Sequence, residues 1–213
     1  MFKGRFIQTK QGMSASYEMY LENALCATAE IPHDIENSVL YFSADQGDGY
    51  ELRPSSVIAL KKQGLQPYAG AAPYEIVTSS GESCGYIFER KTAGFFKGYV
   101  YDQILFRGKN YTVYIISIPK EGKKYAIYRS EGQEQQVALV EKPEIVYNRL
   151  DEYSWMALYK QDIEVLGLYL LYEDYLLNAP HRMETVTASK ELSSGKTLNK
   201  ELLGKYNEQF KKR

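Results

Sequence analysis

Histidine, cysteine and tryptophan are nearly missing from this chain: 213 residues carry two, two and one of them. His33 and His181 lie in no recognisable nucleophile or metal motif, so no catalytic residue and no metal ligand is expected. Cys26 and Cys84 are too far apart for a small disulfide scaffold and lack the partner spacing of a zinc site. They read as buried structural thiols, because free cysteine is commonly interior. No apolar run approaches the roughly 20 residues that cross a bilayer as a helix. The opening MFKGRFIQTKQG has no apolar stretch of the signal-peptide kind, so a cytoplasmic protein is expected. Charge of one sign is missing too. With 26 basic and 27 acidic side chains the net charge is −1, which argues against a general nucleic-acid binder.

Phosphate- and calcium-binding loops are also lacking. Asp45-Gln-Gly-Asp-Gly-Tyr lacks the alternating acids and terminal glutamate of a calcium loop, and fits a hairpin turn. Gly81 and Gly85 are flanked by strand-like sequence on both sides, whereas a phosphate loop needs a strand followed by a helix. No cofactor is expected.

Tyrosine is the residue in excess, with 20 against 8 phenylalanines. Its ring packs on a sheet while its hydroxyl reaches a rim, which suits β structure. Strand-like segments fall at Phe2–Thr9, Ser14–Leu21, Leu25–Glu30, Val39–Ser43, Tyr50–Arg53, Val57–Lys61, Tyr74–Thr78 and Cys84–Arg90. They continue at Gly98–Phe106, Tyr111–Ile118, Lys124–Arg129, Gln135–Glu141, Glu144–Asn148 and Tyr153–Tyr159. Turn chemistry separates many of them, as in Gln-Gly-Asp-Gly at 46–49 and Arg-Gly-Lys-Asn at 107–110. So many short strands predict a sandwich or a barrel. Tyr74–Lys91 also aligns without gaps with Tyr125–Lys142, sharing Tyr74/Tyr125, Ile76/Ile127, Ser79/Ser130, Gly81/Gly132 and Lys91/Lys142. Each copy reads as strand, tight turn, strand: two hairpins of one design.

Asp162–Asn178 breaks the pattern. Val165, Leu166, Leu168, Tyr169, Leu170, Leu171, Tyr172, Tyr175, Leu176 and Leu177 leave scarcely any polar side on a helix, whereas a surface helix carries one apolar stripe. Asp162 is placed to cap it, and Pro180 ends it. A helix this apolar must be enclosed, and a barrel provides a wall. Residues 189–213 carry a net charge of +4 and leave −5 for the rest. The expected organisation is a barrel with its helix over 1–180 and a basic tail over 181–213, flexible or helical from Asn199. That tail is placed to bind an acidic membrane, to fold back on the acidic body, or to remain a disordered solubilising end.

Strand–turn–strand units of the form Tyr-x-Ile-x-x-Ser-x-Gly, ending in an apolar helix, resemble the tubby C-terminal-like superfamily. The bacterial and plant members of LURP-one-related type are the nearest comparison. The resemblance covers roughly Met1 to Pro180. It implies a mainly β fold, a closed antiparallel β-barrel wrapped around a hydrophobic central α-helix. The family includes phosphoinositide-binding tubby proteins and phospholipid scramblases, which makes an anionic lipid headgroup or a protein the expected partner. No lipid-ligating residue of those relatives matches a position here, and the basic tail departs from the pattern.

The residues themselves offer one candidate for such contact: the hairpin tip holding Arg90, Lys91, Phe95, Phe96 and Lys97. Paired phenylalanines can enter a headgroup layer while the cations meet phosphates, holding a cytoplasmic protein peripherally at the membrane. Arg107 and Lys109 would add to the patch only if folding brought the two turns together. The expected function is therefore non-catalytic binding or scaffolding. The alternative is a small-ligand carrier, an open barrel with the helix across its mouth.

Overall fold

The computed structural model describes residues 1–12, 14–33, 39–45, 47, 49–92, 99–118, 120–131, 133–143, 150–178, 204–206 and 210–211, with the backbone alone at 177–178. The strands are β1 (Phe2–Lys10), β2 (Ala15–Leu21), β3 (Ala24–Ile31), β4 (Leu40–Ala44), β5 (Gly49–Pro54) and β6 (Tyr74–Thr78). They continue with β7 (Ser83–Lys91), β8 (Val100–Phe106), β9 (Lys109–Ile118), β10 (Gly122–Glu131), β11 (Gln133–Lys142) and β12 (Glu152–Ala157). Each pairs antiparallel with its chain neighbours, and β1 pairs with β12, from Phe2 opposite Ala157 to Ile7 opposite Glu152. The sheet therefore closes into a twelve-strand barrel with no free edge.

Period-two alternation explains the strands. On β2, Tyr17 and Met19 join the interior cluster while Glu18 and Tyr20 point away. At the β8–β9 hairpin Arg107 and Gly108 both take positive φ, 48° and 75°, as a two-residue primed turn requires. The two hairpins sharing a sequence pattern are β6–β7 and β10–β11. Tyr74 and Tyr125, like Ile76 and Ile127, face the interior. Both hairpins slip register directly after the shared isoleucine, at Ile76/Val77 and Ile127/Tyr128. The likeness thus extends to the placement of the bulge.

Sequence reading and structure part at three places. Val57–Lys61, expected as a strand, is helical: α1 spans Val57–Lys62, because the Ser56 hydroxyl accepts from the Ala59 N–H at 3.1 Å. Five apolar-rich residues fit either period, and the cap decides between them. The segment ending at Tyr159 stops being strand at Ala157 and enters a 3-10 turn, Lys160–Asp162. Asp162 does not cap the helix that follows. Its carboxylate is taken by Arg129 Nη1, at 2.8 and 3.0 Å, and by the Tyr111 hydroxyl at 3.0 Å. The strand expected at Glu144–Asn148 lies outside the described residues.

The apolar helix, α2, spans Ile163–Asn178. Val165, Leu166 and the run from Leu168 to Asp174 are all buried. Gly167 lets α2 approach β2 and β4. A Cβ there would stand 2.5 Å from Phe42 Cε2 and 2.9 Å from Met19 Sδ. Gly167→Ala is expected to destabilise the protein by about 1–2 kcal/mol. Overpacking of about 1–3 kcal/mol outweighs the gain in helix propensity of about 1 kcal/mol. A urea midpoint at or above the wild-type value would show that Phe42 yields easily.

Candidate functional site

Polar groups on α2 and on the 3-10 turn before it pair with side chains of several strands. The Asp174 carboxylate accepts from Tyr17 on β2 and Tyr153 on β12, each at 2.6 Å, and lies 3.6 Å from Lys142 Nζ at the end of β11. Lys142 also meets Asp151 at 2.8 Å. Tyr169 donates to Asp102 on β8 at 2.8 Å. At the other end Asp162 takes Tyr111 from β9 and Arg129 from β10, and Glu164 pairs with Arg107 at 3.6 Å.

Burial dominates the electrostatics here. It pushes the Glu173 carboxyl up to about 7 against the opposing pull of Lys123 and Lys142. Burial, then the Asp174 charge, pushes Asp151 up to about 6. Asp102 is raised for the same first reason, with the Glu173 charge adding to it. Glu173 Oε1 and the Tyr125 hydroxyl lie close enough to interact but complete no hydrogen bond. A protonated Glu173 carries no charge to desolvate, which makes its burial tolerable.

The gap bounded by Ile104, Tyr111, Ile127, Val137, Leu166 and Tyr169 has no room for a water molecule. Outside, a groove of about 240 Å³ over β3–β5 is bordered by Thr28, Glu30, Tyr41, Ser43, Glu51 and Ser79. Among the described residues no group of three or more His, Cys, Asp or Glu could hold a metal ion.

Convergent groups gather instead on the outer face of β8–β11. Tyr99, Tyr101, Tyr114 and Tyr128 form a chain of rings with successive centroids 6.3, 5.9 and 5.6 Å apart. Tyr114, Ile116 and Ala126 are buried at its centre, and Leu139, the register partner of Ala126, is fully buried beside them. Residues of the C-terminal tail lie on this face. Lys205 Nζ stands 4.7 Å from the Tyr114 ring centroid, 5.8 Å from that of Tyr128 and 3.5 Å from Glu134 Oε2. The Tyr114 hydroxyl donates to Glu134 Oε1 at 3.1 Å, fixing the carboxylate, and Tyr128 donates to the Lys205 carbonyl at 2.9 Å. Tyr206 packs against the central cluster, Phe210 is fully buried, and Lys211 Nζ meets Glu141 Oε1 at 2.7 Å. Burial raises Glu141, but hydrogen bonds from Lys124 and Lys211 outweigh it and hold the carboxyl below its ordinary range. Burial first, then Glu134, raises the Tyr114 hydroxyl and keeps it protonated.

The tail thus folds back on the body through Lys205 and Lys211, one of its three expected fates. The helix expected from Asn199 falls mostly outside the described residues, as does His181. Among the expected lipid contacts, Phe95, Phe96 and Lys97 also lie outside them. Arg90 donates to Gln103 at 2.8 Å with its guanidinium 6.0 Å from the Tyr101 ring centroid, and Lys91 stands 5.7 Å from that of Tyr68. Arg107 and Lys109 sit at the end of β8 opposite to Lys91, about 20 Å from it along the strand. Cys26 and Cys84 form no disulfide and are half-buried thiols packed against the interior cluster, donating to the Met19 and Ile76 carbonyls at 3.3 Å each. His33 is exposed after the end of β3.

Sequence reasoning missed the tyrosine face. Its one signal is Tyr99-x-Tyr101 with Tyr114 and Tyr128 on strands of like alternation. Tyrosines that face inward, such as Tyr111 and Tyr125, hide that signal.

Comparison with protein-family models, with curated proteins and with solved structures finds no match. Among the described residues no helix is long and apolar enough to cross a membrane.

Proposed function

We propose that this chain is a non-catalytic binding or scaffold domain of tubby-like type, in which α2 fills the barrel and partners bind on the outer wall. The observation that carries this reading is the burial of α2 from Leu168 to Asp174 on all sides. Its polar groups meet β2, β8 and β12, and Asp162 in the turn just before it meets β9 and β10, so the contacts come from separate parts of the ring. Geometry adds a reason. Barrel diameter grows with strand number, and side chains already fill an eight-strand barrel. Twelve strands leave a wider lumen, and a helix about 10–12 Å across with its side chains suits it. A filled barrel has no chamber for a substrate or a carried ligand. The gap beside α2, too small for water, supports this over the carrier alternative.

Of the two partner classes, the outer wall favours a protein, because aromatic rings and fixed carboxylates already hold a basic segment there. Anionic phospholipid meeting Arg90, Lys91, Phe95, Phe96 and Lys97 is the second reading, and would make this cytoplasmic protein peripheral at the membrane. Two measurements test the proposal. In hydrogen exchange, α2 amides are expected to be the slowest in the chain, and fast exchange there would reject the filled barrel. In co-sedimentation, anionic vesicles are expected to leave the protein in the supernatant at low and high salt. Salt-sensitive pelleting, lost in the Phe95→Ala/Phe96→Ala variant, would transfer the partner role to lipid.

A further inference from the structure

The arrangement around Lys205 is more specific than a tail lying on a wall. An ammonium group sits over the face of one tyrosine and near a second, where the ring quadrupole attracts it. A carboxylate held by one of those tyrosines completes the enclosure. The other tyrosine reads the backbone beside the lysine. Five residues on, an aromatic ring is wholly buried, and a second lysine reaches the second carboxylate, Glu141. Two lysines meeting two carboxylates of the wall, with a buried phenylalanine preceding the second lysine in the chain, define a register, as on peptide-recognition surfaces.

We propose that the outer face of β8–β11 is a peptide-recognition site for a basic–aromatic segment. Its specificity element is the ammonium site made by Tyr114, Tyr128 and Glu134, which Lys205 occupies in cis until a partner protein's segment of the same chemistry displaces it. The proposal rests on the outer-wall reading above and names its ligand. The body supplies acidic and aromatic groups, and the ligand supplies lysine followed by an aromatic residue, then phenylalanine followed by lysine. The tail satisfies that pattern because it is the same chemistry carried on the same chain. In the sequence, 25 residues, 179–203, separate α2 from the docked tail.

The test uses the full chain and a fluorescent synthetic peptide copying residues 201–213. Lys205 is partly exposed, so Lys205→Ala is expected to fold and to melt close to the wild type. It loosens the resident tail and is expected to bind the peptide about tenfold more tightly than the wild type does. Adding Glu134→Gln to Lys205→Ala, or placing norleucine at the Lys205 position of the peptide, is expected to reverse that gain. Equal binding by wild type and Lys205→Ala would overturn the proposal, and so would indifference to norleucine, since the tail would then be an apolar cover only. Retained α2 protection with no peptide binding rejects the ligand class alone, whereas lost protection rejects the filled barrel. A wild-type dimer that grows with concentration would overturn the partner assignment and give the wall to a second copy's tail. Capture of Lys205→Ala by anionic vesicles, with no peptide binding, would overturn it in favour of lipid.

Discussion

Leu170→Asp is expected to leave no folded protein. Leu170 is wholly buried in the interior cluster, among side chains drawn from the strands. A carboxylate placed there either stays charged without a partner or takes up a proton, and each route costs several kcal/mol. A domain of this size has roughly 5–15 kcal/mol of stability in total. The cavity left by the missing leucine atoms adds to the loss. Leu166→Asp meets the same environment at 1% exposure and carries the same expectation. Leu170→Met keeps volume and apolarity and is expected to cost less than about 1.5 kcal/mol, which separates the effect of charge from that of substitution. Soluble expression and thermal melting read all three. A Leu170→Asp chain that melts like the wild type would mean that this face of α2 reaches water.

Stability is expected to fall as pH rises from about 5 to about 8, opposite to the usual contribution of carboxylates. Glu173 sits at about 7 and Asp151 at about 6 in the folded protein, both above their ordinary values. Between those ordinary values and the raised ones, the folded state holds protons that the unfolded chain has released. Folding then takes up protons, and raising the pH draws the equilibrium toward the unfolded state. The Glu173 contribution is on the order of 3 kcal/mol, fully lost only above about pH 7. The groups facing it are Lys123, Lys142, Asp174 and Tyr125. The two lysines favour its charged form without overcoming burial. Glu141, lowered by Lys124 and Lys211, contributes with the opposite sign, but its contribution is lost only on acidification below about pH 4.5, outside this window. Glu173→Gln keeps the shape and removes the titration. It is expected to flatten the slope of melting temperature between pH 5 and 8, and to melt at or above the wild type at pH 8. A wild-type profile that rises across this interval would show that the Glu173 carboxylate is stabilised by its cations after all.

The strands were largely legible because alternation and turn residues are local signals. Tyr74–Thr78 was read to the residue, and most other strands to within a residue or two. Val57–Lys61 failed because its period is ambiguous and the deciding feature, the Ser56 hydroxyl on Ala59, is a single hydrogen bond. Asp162 failed differently. A lone acid before a helix reads as a cap, yet Arg129, 33 residues earlier in the chain, offers a stronger, charge-assisted partner. The candidate site was the least legible part. Its lysine and the tyrosine that binds its carbonyl are 77 residues apart, and nothing local links them.

From the amino-acid order alone came the succession of antiparallel hairpins, the likeness of Tyr74–Lys91 to Tyr125–Lys142, the burial of the helix near residue 170, and a tail opposite in charge to the body. Each follows from interactions between residues close in sequence, or from a transfer free energy that depends on composition. The tertiary structure decided the rest: closure of β1 on β12, which tyrosines face in and which face out, which carboxyls keep their protons, and where Lys205 comes to lie. Alternation separates the two faces of a strand without saying which is inside, and burial and charge pairing exist only once distant segments meet.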